Sequence, residues 1–130
     1  MKYNWLSLLA AGTMLPLAAV ELPSIFTDNM VLQRDRAVPV WGTGRAGEAV
    51  SVQFAGQTVS TTAGKDGRWQ VKLAPLAASS DGATLTVKGD NTLTRSNVLV
   101  GDVWLCAGQS NMQYGLQSIT GSRKLIEAFP

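Results

Sequence analysis

From Leu22 to about Val100, apolar and polar residues take turns along the chain. Val50, Val52 and Phe54 alternate with Ser51 and Gln53; Trp69, Val71 and Leu73 alternate with Gln70 and Lys72; Leu85 and Val87 alternate with Thr84, Thr86 and Lys88. A period of two with one polar face describes antiparallel strands that set one side on a core and the other in water. Turn residues separate the runs, at Gly42-Thr43-Gly44, Ala55-Gly56-Gln57, Gly64-Lys65-Asp66-Gly67, Ser80-Asp81-Gly82 and Gly89-Asp90-Asn91. Short strands at this spacing predict a mainly β fold, a small antiparallel β-sandwich or barrel. Pro39 has no N–H to give a ladder, so the strand around it belongs at an edge.

Towards the carboxyl side the pattern changes. Val98-Leu99-Val100 and Val103-Trp104-Leu105-Cys106 are nearly continuous apolar runs, as expected of a strand buried on both faces of a parallel sheet. The change predicts a domain boundary near residues 96–101, with a β domain over 20–98 and the start of an α/β unit over 99–130. A lone strand and helix cannot bury their apolar faces, so this second piece is expected to be poorly ordered. At the other end, Lys2, an apolar run and the small residues Ala18-Ala19 make residues 1–19 a secretory signal peptide with cleavage after Ala19. Gly12 and Pro16 interrupt the run, which is too short to span a bilayer. The expected product is secreted or periplasmic and free of the membrane once cleaved.

The candidate chemistry follows the second apolar run. Residues 103–106 lead into a tight turn at Ala107-Gly108, then Ser110, then a segment able to begin a helix over 111–116. Strand, sharp turn, serine and helix push a hydroxyl out at the carboxyl end of a sheet. The same geometry sets backbone N–H groups beside it, where a developing oxyanion is held. A Gly-x-Ser at a helix start is usually only an N-cap. Met112 stands where the second glycine of a Gly-x-Ser-x-Gly elbow would be. The residues alone leave nucleophile and cap both open.

The block Gly101-Asp102-Val103-Trp104-Leu105-Cys106-Ala107-Gly108-Gln109-Ser110-Asn111-Met112 closely resembles the first motif of the sialate O-acetylesterase family, a branch of the SGNH (GDSL-like) hydrolases. The runs Leu22-Pro23-Ser24-Ile25-Phe26-Thr27-Asp28-Asn29-Met30-Val31-Leu32-Gln33-Arg34 and Val38-Pro39-Val40-Trp41-Gly42 resemble the same family's opening. The resemblance implies that Ser110 is the nucleophile and that its own backbone N–H is one oxyanion donor. Gly108, Gln109 and Asn111 flank it without assigned roles. It also implies a flavodoxin-like α/β domain of which only the first strand, turn and helix are present. The substrate implied is an O-acetylated glycan or sialic acid, deacetylated through an acyl-enzyme. Family members complete the site with a Gly, an Asn and an Asp-x-x-His pair, whereas this chain contains no histidine. A serine hydroxyl is a weak nucleophile until a base takes its proton, and Lys124 stays protonated near neutral pH unless buried. The expectation is an amino-terminal portion of a longer esterase, inert alone and missing its carboxyl-terminal hydrolase region.

The remaining composition narrows the partners. The leader removes only Lys2 and no acid, so 11 basic against 9 acidic residues become nearly balanced; this speaks against a nucleic-acid partner, which needs a clustered basic footprint. One cysteine excludes an internal disulfide, and Cys106 is expected to act as a small buried hydrophobe. With neither His ligands nor a cluster of Cys or carboxylates, no metal is implied, and no cofactor. The alternative to an esterase is a non-catalytic β-sandwich that binds carbohydrate through Trp41, Trp69 or Tyr114, or one that only braces a neighbouring domain. Trp69 shares the phase of Val71 and Leu73, and Trp41 abuts an apolar run, so both are expected in the core.

Overall fold

The computed structural model describes residues 19–128; the signal-peptide reading therefore falls almost wholly outside the described residues. Among these the chain forms β1 (Val31–Gln33), β2 (Val38–Thr43), β3 (Ala49–Phe54), β4 (Gln57–Thr62), β5 (Arg68–Leu73), β6 (Ser79–Lys88) and β7 (Thr92–Gly101). Two 3-10 turns, Ser110–Gln113 and Leu116–Ser118, and a short helix α1 (Arg123–Ala128) follow.

Five strands make one sheet in the order β1-β7-β6-β3-β4, curled into a half-barrel, while β2 and β5 pair as a separate ribbon. The alternating runs read from the sequence are β3, β5 and β6, and their apolar members point inward. Val50, Val52 and Phe54 of β3, Trp69, Val71 and Leu73 of β5, and Leu85 and Val87 of β6 are buried in one cluster with Val38 and Val40 of β2. Burial of these side chains is the main source of stability, at roughly 1.5–3 kcal/mol each. β4 carries Gln57, Thr58, Ser60, Thr61 and Thr62 around a single valine, too polar for hydrophobic alternation to reveal it. It forms because the hairpin turn Ala55-Gly56 brings it against β3, with Phe54 opposite Gln57. Both turn residues have positive φ, 46° and 78°, the left-handed pair that a two-residue hairpin favours. Pro39 does lie on an edge, in the two-stranded ribbon.

Three features depart from the antiparallel pattern. β1 runs parallel to β7, with Val31 opposite Leu99 and Gln33 opposite Gly101. Ser80-Asp81-Gly82, expected as a turn, lies within β6 at a register irregularity. The third is a bulge in β7: Leu85 faces Arg95 but Ala83 faces Val98, so Thr84 alone opposes Ser96 and Asn97. A bulge inserts one residue and reverses which face later side chains occupy. Before it Leu93 packs on the core; after it Val98 and Val100 do. That phase reversal is the apparent change of character at residues 98–100, which belong to the curled sheet and end β7.

Asn97 takes φ 52° at the bulge, and the freed backbone of Ser96 finds partners in the loop before β1. Its N–H and its hydroxyl donate to Asp28 Oδ1 at 2.6 and 3.0 Å, and its carbonyl accepts from the Asn29 N–H at 3.0 Å. Asn97 Nδ2 donates to Asn29 Oδ1 at 2.7 Å, and Arg95 Nε to the Phe26 carbonyl at 2.7 Å. The Ser96 N–H, then its hydroxyl, hold the Asp28 carboxyl below its ordinary value.

Candidate functional site

The site-bearing segment leaves the sheet at Gly101, where β1 holds it. The Arg34 N–H donates to the Gly101 carbonyl at 2.9 Å, Arg34 Nε donates to Asp102 Oδ1 at 3.0 Å, and Gln33 Oε1 accepts the Val103 N–H at 2.9 Å. The guanidinium hydrogen bond lowers the Asp102 carboxyl from its ordinary value, and the same contact raises Arg34. Both side chains are about half exposed, so the pair fixes a direction more than it adds stability. The clamp joins the two stretches of family resemblance, some 70 residues apart in the chain.

Past Val103 the structure corrects the reading of a buried strand. Residues 103–106 form no strand; Trp104 is 84% and Leu105 93% exposed, and Cys106 is exposed too. An apolar strand needs a neighbour on each face, and no described element covers these residues. The expected helix over 111–116 is instead the 3-10 turn Ser110–Gln113, followed by a second over Leu116–Ser118.

Ser110 opens that first turn with its side chain in solvent. At Gly108 a Cβ would meet the Met112 side chain, at 2.8 Å from its Cγ. The Met112 N–H donates to the Gln109 carbonyl at 2.9 Å and so is committed within the turn rather than presented to an oxyanion. Gln109 is exposed, and Asn111 is the second residue of the turn. Ser110, Gln113, Tyr114, Gly115 and Ser118 border a shallow hollow of about 430 Å³. None of the five is a base able to take a proton from Ser110 Oγ. Lys124 is exposed on α1. Among the described residues no three His, Cys, Asp or Glu side chains gather to hold a metal.

The aromatic residues divide differently from expectation. Trp69 is 3% exposed, in the core as read, its indole N–H donating to the Thr43 carbonyl at 2.9 Å. Trp41 is 38% exposed, on the outward face of β2. Its phase is set by Val38 and Val40 pointing inward, which leaves the next residue outside. Tyr114 is exposed at the hollow.

Sequence reasoning missed Glu48, a carboxylate only 2% exposed. It accepts the Asp90 N–H at 2.6 Å and the Arg45 N–H at 2.8 Å, which hold its carboxyl below the ordinary value, tying the β2–β3 loop to the β6–β7 turn. Gly44 and Gly89 make room, since a Cβ on either would collide with the carboxylate. A lone Glu between turn residues carries no periodic signal. The clamp residues Gln33, Arg34 and Asp102 all stood in the quoted blocks, but only the parallel β1–β7 pairing brings them together.

Comparison with known proteins gives one consistent answer. The chain is 37% identical over 118 residues to the sialate O-acetylesterase of Rattus norvegicus, covering 78% of this chain and 21% of the rat protein. The human sialate O-acetylesterase is 36% identical over 117 residues, covering 78% and 22%. The crystal structure of a carbohydrate acetylesterase from Xanthomonas citri superimposes with a TM-score of 0.73 at 38% identity, over 85% of this chain and 25% of that one. No family model matches the chain. The chain spans about a fifth of the length of the curated relatives it matches.

Proposed function

Since the chain belongs to the sialate O-acetylesterase family over the stretch it shares with these relatives, we propose that it carries the nucleophile of a carbohydrate O-acetylesterase. Ser110 Oγ attacks the acetyl carbonyl of an O-acetylated sugar, the bond to the sugar oxygen breaks, and the acetyl-serine is then hydrolysed to acetate. The Ser110 N–H is one oxyanion donor. The observation that carries this reading is the position of Ser110: on an exposed turn, in the family's first motif, on a segment aimed by the Arg34–Asp102 clamp.

The proton from Ser110 Oγ needs a base, and an imidazole is absent from the 130 residues. The base belongs to polypeptide beyond these residues, which would also cover Trp104 and Leu105 and draw residues 103–106 into an α/β sheet. Glycan or sialic acid esters are the substrate class. In this reading residues 1–19 direct export.

The test is a chimera in which residues 20–130 replace the matching quarter of the Xanthomonas citri acetylesterase. Acetate release from acetylated xylan and O-acetylated sialic acid is expected. The 130-residue chain alone is expected to match buffer; release of acetate by it would overturn the need for an outside base.

A further inference from the structure

A second hollow, of about 620 Å³, lies against the β2–β5 ribbon and shares no lining residue with the hollow at Ser110. Pairing sets its residues. Trp41 stands directly opposite Gln70 and Thr43 opposite Arg68, while Glu21 bridges to Thr43 from the other side. One flat aromatic, one amide, one guanidinium and one carboxylate thus share a single face, with Asp66 at the rim. Phe26 packs nearly perpendicular to the Trp41 ring, centroids 4.8 Å apart at 74°, and Trp41 keeps 38% of its surface exposed. The volume lies within the range of small-ligand sites.

We propose that this hollow binds a neutral pyranose ring of a glycan, as a site separate from the serine turn. The apolar C–H face of a pyranose stacks on an indole, and planar amide, guanidinium and carboxylate groups match its hydroxyls. Charge selects the neutral sugar. Arg68 lies 3.9 Å from Asp66, so its charge is already balanced. Glu21 then leaves the hollow with one negative charge in excess, which repels a sugar carboxylate. The proposal does not depend on Ser110 being a nucleophile.

The test follows the indole N–H resonances of the labelled chain during titration with methyl β-D-galactopyranoside, xylotetraose and N-acetylneuraminic acid. A saturable shift at Trp41 with at least one of the two neutral probes is expected, with the signal of Trp104, which lies outside the hollow, unmoved. Trp41→Ala should weaken binding at least about ten-fold. Gln70→Ala, at an exposed position, should weaken it without changing Tm, and Ser110→Ala should bind as the parent does. No saturable shift with either neutral probe, or unchanged affinity in both Trp41→Ala and Gln70→Ala, overturns the site. Tighter binding of N-acetylneuraminic acid overturns the assignment to neutral sugars.

Discussion

Glu48 shows how much one side chain can organise. A buried carboxylate is tolerated only when its oxygens are hydrogen-bonded, and both of its oxygens receive a backbone N–H. Its folded-state value is depressed, as are those of Asp28 and Asp102. A depressed carboxylate contributes stability that is present above its unfolded value and lost as pH falls through the folded one. Stability should therefore be flat near neutrality and decline below the ordinary carboxylate values of 3.8 and 4.5. Glu48→Gln should lower Tm at neutral pH by roughly 5 °C and shrink the acid-side decline; an unaltered acid limb in thermal melts would contradict this. Gly42 makes a sharper case. A Cβ there would collide with the Glu21 carbonyl oxygen and meet the Trp69 ring at 2.7 Å, so Gly42→Ala should cost about 3 kcal/mol or more in urea unfolding. Ala55 offers the opposite sign: at φ 46° it pays for a left-handed turn, and Ala55→Asn should stabilise by about 0.5–1 kcal/mol.

At the scale of elements, β7 connects fold to site. Its bulge is anchored by the 26–29 loop and its end by Gln33 and Arg34. Arg34→Ala together with Gln33→Ala should speed exchange of the Val103 amide while leaving Val98 protected; equal protection in both would break the clamp account. The strands β3, β5 and β6 were legible because their alternation is strict. β4 was not, since polar residues at an edge leave no hydrophobic pattern. Residues 98–100 misled because a bulge and a change of domain produce the same break in phase. Residues 103–106 misled for another reason: an apolar run states a need for partners, not that they are present. Cys106 should accordingly react with a thiol reagent at the rate of an exposed cysteine in the native chain.

The whole molecule is a β core that carries an exposed serine turn on a clamped stalk. Its motif was legible as a family block from residue identities alone, while the clamp that aims it required the β1–β7 pairing. None of the residues bordering Ser110 is a base, and the hydrolysis proposed above takes its base from elsewhere. The most direct measurement is acetate release by the chimera and by its Ser110→Ala variant, each checked for a cooperative melt. The account predicts release by the first and a loss of at least about 1000-fold in the second. Undiminished release from a folded Ser110→Ala chimera would contradict it.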